Sequence, residues 1–279
     1  MARILKKERL SELVWRYRID APRIASKRKA GQFVILRPVQ NSERIPLTIA
    51  NADSAGGWIE IIFQNVGRTT FLLSTLGEGN QILDLAGPLG KPTHIEKYGK
   101  CLCIGGGVGI APLFPIMSAL KEAGNEIVSI IGARSKELLI LVDDIKAVAD
   151  RFFVATDDGS FGQHGFVSDV FKSLVAKNEI FDTAFVIGPL GMMKVTSSLT
   201  IASGIKTYVS LNPIMIDGTG MCGGCRVSLF GENRFACVDG PEFDAAGVDW
   251  TELMTRQNSY KIFESEARQK HECKVSGSL

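Results

Sequence analysis

Lys100-Cys-Leu-Cys-Ile-Gly105-Gly106-Gly107-Val108-Gly109-Ile110-Ala111-Pro112 is the stretch that decides the fold of this 279-residue chain. A short apolar run passes directly into a glycine-rich turn, and an apolar helical pattern follows as far as Glu122. Strand, turn and helix in that order open a parallel α/β unit. Glycines at 105, 106, 107 and 109 let the backbone approach a dinucleotide. The helix start beyond them supplies free amides and the positive end of the dipole. Pro112 suits the first helical position. The G-x-G-x-x-G fingerprint is absent, since position 110 is isoleucine, and no Walker lysine follows. A tight strand-to-helix turn is the plain alternative, but four glycines in five positions exceed what a turn needs.

Toward the C-terminus the same alternation repeats. Strands are expected near residues 100–104, 126–131, 152–155, 184–187 and 207–209, and helices near 111–122, 138–149, 167–176 and 192–202. This is the pattern of a parallel sheet covered on both faces. Two more turns follow strand ends: Thr156-Asp157-Asp158-Gly159-Ser160, and Gly188-Pro189-Leu-Gly191-Met192-Met193. Open α/β sheets bind ligands at that edge, so the shared position counts for more than any one loop. Adjacent aspartates at a turn read more simply as turn formers than as metal ligands. After the second strand, Gly132-Ala-Arg134-Ser135-Lys136 has no acid to hold a ribose hydroxyl. A cationic tip leans toward NADP, although solvated basic side chains at a helix start would look the same.

Toward the N-terminus the pattern is different. Short alternating runs at 13–19, 32–36 and 58–63 are punctuated by glycine and proline, which predicts antiparallel strands closing a small barrel. Arg44-Ile-Pro46-Leu47-Thr48 closes one strand in this reading. A guanidinium fork suits a pyrophosphate, and the threonine hydroxyl suits a heterocycle edge. An exposed arginine at a strand end is the plainer account. Gly67-Arg68-Thr69-Thr70 precedes a short helix expected at 71–76, where amides and hydroxyls could hold phosphate or simply cap the helix.

Beyond residue 213 lies Asp217-Gly-Thr-Gly-Met-Cys222-Gly-Gly-Cys225, completed by Cys237. With cysteine in place of Asp217, the run would read C-x4-C-x2-C…C, the ligand spacing of a plant-type [2Fe–2S] cluster. Asp217 could supply the fourth ligand as a carboxylate, a harder donor than thiolate. Zinc is the rival metal, weakened by the lack of a nearby histidine. Three clustered core cysteines are the bland reading. Cys273 competes with Asp217 for the fourth place from a greater sequence distance. Residues 248–254 suggest an amphipathic helix that packs by default on its own chain.

The bulk numbers are those of an ordinary soluble globular protein. Hydrophobic content is 45%, charged content 22%, and the formal net charge is +2. The charge gives no reason to expect nucleic acid. No apolar run is long enough to insert in a membrane, and the basic N-terminus lacks the apolar core of a signal peptide. Cytoplasmic is the natural expectation, with the cysteines serving a metal rather than disulfides.

Taken in order, Arg44-x-Pro-Leu-Thr48, the turn from Gly105 to Pro112, Gly188-Pro189 and the cysteine loop resemble the ferredoxin–NADP reductase superfamily. Within it the chain resembles the electron-transfer subunit of dihydroorotate dehydrogenase. It is closer to the small subunit of NADH-dependent ferredoxin:NADP oxidoreductase (Nfn type), also known as sulfide dehydrogenase small subunit. The link is Asp217 to Arg226 followed by Phe235-Ala-Cys-Val-Asp-Gly-Pro-Glu-Phe-Asp244.

The resemblance implies β-barrel plus α/β architecture: an antiparallel FAD-binding barrel at 1–97, a nucleotide-binding α/β domain at 98–213, and a [2Fe–2S] segment with a C-terminal helix at 214–279. It implies Arg44 on the FAD pyrophosphate and Pro46 to Thr48 by the flavin, with Gly67 to Thr70 completing that site. Gly106, Gly107, Val108 and Gly109 would face NAD(H), with NADP(H) possible, near Thr156, Asp157, Gly188, Pro189 and Met192. Asp217, Cys222, Cys225 and Cys237 would hold the cluster. Relatives often carry cysteine where this chain has Ile187. The implied partner is a larger iron–sulfur flavoprotein subunit, with ferredoxin reached through an electron-bifurcating complex.

Overall fold

The computed structural model describes residues 2–259. Seven strands build the first sheet: β1 (Ala2–Arg9), β2 (Val14–Asp20), β3 (Phe33–Arg37), β4 (Ile45–Asp53), β5 (Trp58–Gln64), β6 (Gln81–Ile82) and β7 (Asp84–Leu89). They run in the order β6-β1-β2-β5-β4-β3-β7, and every pairing is antiparallel. The sheet curls into a nearly closed barrel around Ile4, Tyr17, Ile19, Leu36, Ile59, Ile61 and Phe63. Alternation places these side chains on one face, and the hydroxyl of Tyr17 reaches Leu73 O and Leu76 O at 2.9 and 2.8 Å. Those two bonds dock the helix α2 (Arg68–Thr75) against the barrel, while a short α1 (Pro22–Ala25) covers its other side.

Two expectations change here. The segment from Ile45 to Thr48 opens β4 instead of closing a strand, because Pro46 pairs with Ile35 at the sheet position where a missing N–H is tolerated. The helix after Gly67 starts at Arg68, three residues early, since Thr70 Oγ1 accepts from the amide of Gly67 at 3.0 Å and caps it. The N-terminal strand β1 was not anticipated. Its arginines look outward, Lys7 Nζ turns onto Ser74 O and Leu76 O at 2.6 and 3.0 Å, and the buried apolar signal is carried by Ala2 and Ile4 alone.

The second sheet comprises β8 (Lys100–Gly106), β9 (Glu126–Ala133), β10 (Arg151–Thr156), β11 (Gln163–His164), β12 (Thr183–Ile187) and β13 (Lys206–Ser210) in parallel, ordered β11-β10-β9-β8-β12-β13. Successive β8 side chains point to opposite faces. Cys101 and Cys103 pack with α3 (Ile110–Glu122) and α4 (Val142–Val148), whereas Leu102 and Ile104 pack with α5 (Val167–Val175) and α6 (Leu190–Ala202). Burial raises the Cys101 thiol to about 12, so it is a neutral core side chain.

The helix expected over 138–149 shortens to Val142–Val148, since Leu139, Ile140 and Leu141 are all buried and cannot share one helical face. Residues 107–109 form a single 3₁₀ turn running into α3, so Pro112 is the third helical residue, still within the first turn.

The cysteine segment adds a small hairpin, β14 (Arg226–Leu229) with β15 (Glu232–Phe235), followed by β16 (Glu242–Asp244) and α7 (Trp250–Asn258). The strand β16 joins β13 in antiparallel register, Val209 opposite Phe243, so the second sheet is mixed. Helix α7 packs on its own chain through Leu253, with Asp249 accepting from the amides of Thr251 and Glu252. Among the described residues no helix is long and apolar enough to cross a membrane.

Candidate functional site

A cleft of about 1020 Å³ runs between the barrel and the carboxyl edge of the second sheet. Its barrel wall includes Pro46, Leu47 and Thr48 at the start of β4, Phe33 of β3, and Thr70 in the first turn of α2. Ser11 and Thr196 also border the cleft, with Ser11 Oγ and Thr196 Oγ1 shut off from solvent. An apolar cleft of dinucleotide size, walled by Thr48 and Thr70 on the barrel side, fits a flavin nucleotide.

Arg44 and Arg68 are exposed and lie off the cleft wall, and so does Gly67. Thr69 is buried, its hydroxyl accepting from the amide of Glu43 at 3.3 Å, a structural role.

The opposite wall is made by three strand ends. Gly106 ends β8 and Gly107 to Gly109 follow it, Asp157 follows β10, and Gly188, Pro189 and Met192 follow β12. Gly107 has φ of 55° and nothing within 4 Å of where a Cβ would stand, so it gives open backbone to a ligand. Gly109 is required for another reason: a Cβ there would come 2.6 Å from Ile187 O and from Gly188 Cα. That glycine lets the β8 and β12 turns touch, which brings two glycine-bearing loops side by side.

Thr156 does not face the cleft. Its hydroxyl donates to Phe161 O at 2.8 Å and accepts from Phe161 N at 3.0 Å. Asp158 is the turn former, accepting from the amide and the hydroxyl of Ser160 at 2.9 and 2.6 Å. These bonds hold its carboxyl below the usual range. Asp157 and Arg134 line the cleft on neighbouring strand tips, with Asp157 N bonded to Ala133 O at 3.1 Å. An acid therefore does stand near the nucleotide end, on the third strand instead of the second. The Lys136 ammonium lies over the Phe161 ring at 5.6 Å.

In the cysteine loop, the buried Cys225 Sγ donates to Cys237 Sγ at 3.2 Å, and the two form no disulfide. Amides point at sulfur: Cys237 N lies 3.4 Å from Cys225 Sγ, and Gly224 N lies 3.5 Å from Cys222 Sγ. The bond from Gly224 lowers the exposed Cys222 thiol, while burial and then the Cys225 thiol raise Cys237 to about 12. Asp217 Oδ2 is turned onto its own loop. It accepts from Thr219 through both hydroxyl and amide, and from Met221 N at 3.4 Å. These bonds, led by the Thr219 hydroxyl and with a smaller contribution from the Arg44 charge, keep the carboxyl below its ordinary value.

Among the described residues no three histidine, cysteine or acidic side chains converge on one point as a ready cage. Two facing reduced thiols, amides aimed at sulfur and left-handed glycines at 218, 220 and 223 nevertheless fit an iron–sulfur cluster. Gly218 also docks the loop on the barrel, since a Cβ there would strike Ile35 and approach Leu89. Cys273 lies outside the described residues.

The structure adds wall residues that the sequence reading passed over, chiefly Phe33, Phe166, Asn212, Met215 and Pro241. Asn212 could have been noticed as the residue two past the last parallel strand. The others are brought in only by tertiary packing.

Comparison with known proteins bears on the family and the fold. Residues 103–198 match the oxidoreductase NAD-binding domain, and residues 212–249 match the iron–sulfur cluster binding domain of dihydroorotate dehydrogenase B. The chain is 47% identical to a dihydroorotate dehydrogenase B (NAD(+)) electron transfer subunit homolog of Thermotoga maritima, over 92% of this chain and 91% of that one. It is 33% identical to the dihydroorotate dehydrogenase B electron transfer subunit of Fusobacterium nucleatum, over 80% and 87%. A solved structure of an NADH-dependent reduced ferredoxin–NADP oxidoreductase, described for flavin-based electron bifurcation, superposes with a TM-score of 0.92. It covers 97% of this chain and 98% of that one at 45% identity. The chain thus belongs to the family of dihydroorotate dehydrogenase B electron-transfer subunits and their homologues, built on a ferredoxin reductase-like fold.

Proposed function

We propose that the chain is the NAD(H)-oxidising subunit of an electron-bifurcating complex, exchanging electrons with a larger iron–sulfur flavoprotein subunit. Its own cofactors are FAD, a [2Fe–2S] cluster and NAD(H). Bound FAD supplies the conversion between hydride-pair and single-electron transfer that links a nicotinamide to a cluster.

The protein's part is placement. Pro46, Leu47 and Thr48 would seat the flavin against the barrel, and the amides of Gly106 to Gly109 with Gly188 and Met192 would lay the dinucleotide across it. Cys222, Cys225 and Cys237, with Asp217 as the fourth donor, would hold iron where the loop docks on β3 and β7. No side chain needs to act as acid or base, so catalysis rests on positioning.

One observation carries this reading. A continuous cleft of about 1020 Å³ joins the barrel wall to three glycine-bearing strand ends, and the cysteine loop packs on that barrel through Gly218. The exposed apolar side chains Ile216, Met221 and Val238 beside the loop support a partner that docks there.

Anaerobically purified protein should contain FAD and about two irons per chain, and NADH should bleach the flavin. A colourless preparation containing zinc alone would overturn the reading. Affinity purification of the tagged chain from its native cells should bring down a larger flavoprotein carrying additional iron–sulfur clusters.

A further inference from the structure

The last turn of α7 reaches both ends of the route just described. Arg256 Nη2 donates to Gly224 O at 3.2 Å, inside the cysteine loop. The next residue, Gln257, donates through Nε2 to Asn212 O at 2.8 Å and to Asn212 Oδ1 at 3.3 Å, on the wall of the cleft. The helix behind them is anchored: Asp249 caps its start and Leu253 is buried in the core. Arg256 is half-buried, so its charge is less screened than that of a freely solvated arginine.

The carbonyl that Arg256 binds belongs to the peptide unit whose N–H is that of Cys225, while the amide of Gly224 points at Cys222 Sγ at 3.5 Å. The guanidinium is therefore one peptide away from two of the three sulfur ligands. Reduction adds a negative charge to a centre already surrounded by thiolates and a carboxylate. A cation fixed beside it favours the reduced form through its charge.

We propose that Arg256 is a positioning residue that raises the reduction potential of the cluster, its charge held on the Gly224 carbonyl by α7. The neutral tie from Gln257 sets the distance between loop and cleft and contributes no charge. This inference rests on the assignment of a [2Fe–2S] cluster to the Cys222–Cys225–Cys237 loop.

The test is a redox titration of the intact flavoprotein, following the cluster by electron paramagnetic resonance, with iron content and melting temperature measured on each variant. R256Q keeps a donor for the carbonyl and loses the charge. It should disfavour the reduced cluster by about tenfold, a shift of about 59 mV to lower potential for one electron. R256M serves as a second neutral variant, and R256K and Q257A should stay near wild type.

An unshifted potential in a neutral variant that retains its iron overturns the proposal, and so does an R256K shift as large as that of R256Q. Wild-type protein free of iron would overturn the functional reading and this inference together, whereas an intact cluster with unmoved potential overturns this inference alone.

Discussion

The hydroxyl of Thr93 donates to Glu242 Oε1 at 2.6 Å, joining the strap that leaves the barrel to the edge strand β16 beyond the cysteine loop. The contact sits under Gly31, where a Cβ would collide with both oxygens. Glu242 is half-buried with its carboxyl turned into this junction, and burial raises it from the ordinary 4.5 to about 7. An acid raised in the folded state contributes stability that is complete below its unfolded value and is lost as pH rises through its folded value. The window therefore lies between about pH 4.5 and 7. Replacing Glu242 by glutamine should stabilise the protein above neutrality by on the order of 1–3 kcal/mol. Urea melts at pH 5 and pH 8 would check this, with the variant gaining only at the higher pH.

Two glycines of the nucleotide edge should respond in opposite ways to alanine. At Gly109 the new Cβ meets backbone of the β12 turn at 2.6 Å, and backbone cannot step aside cheaply. Gly109→Ala should cost about 2–4 kcal/mol and weaken NADH binding, as overpacking at a backbone contact does. Gly191 lies in α6 with nothing within 4 Å of its missing Cβ. Gly191→Ala should leave stability unchanged or raise it by up to about 1 kcal/mol through helix propensity. Thermal melts of the two variants decide the matter.

Asp217 should have two separable roles. Its carboxylate now organises the loop through Thr219 and Met221, and as a ligand it would replace one thiolate of the usual set. Asp217→Cys should retain about two irons per chain and shift the cluster's potential and resonance spectrum. Asp217→Ala should lose much of the iron. An Asp217→Cys protein with an unmoved spectrum would rule the carboxylate out as a ligand.

Cofactor choice should turn on the adjacent tips of β9 and β10. Asp157 and Arg134 both line the cleft, carrying opposite charges on paired strands. A carboxylate favours a free ribose 2′-hydroxyl and repels a 2′-phosphate, which an arginine accepts. Asp157→Ser should raise NADPH oxidation relative to NADH by roughly tenfold, the effect of about 1.4 kcal/mol. Steady-state rates with the two nucleotides and an artificial acceptor would measure it.

The nucleotide-binding half was the most legible part of the chain. Its strands are buried on both faces and its helices are amphipathic, so the periodicity of Lys100 to Ser210 specified the elements locally. The cysteine spacing was legible for a similar reason, since Asp217, Cys222 and Cys225 lie within one short loop. Tertiary structure alone decided that Arg44 and Thr156 stand off the cleft, that Gly109 serves the contact between two loops, and that β16 returns to the nucleotide sheet. It alone also placed Arg256 on Gly224, 32 residues away. The physical reason is range: hydrophobic period and turn chemistry act over a few residues, whereas these placements depend on packing between segments that meet only when the barrel, sheet and loop are assembled.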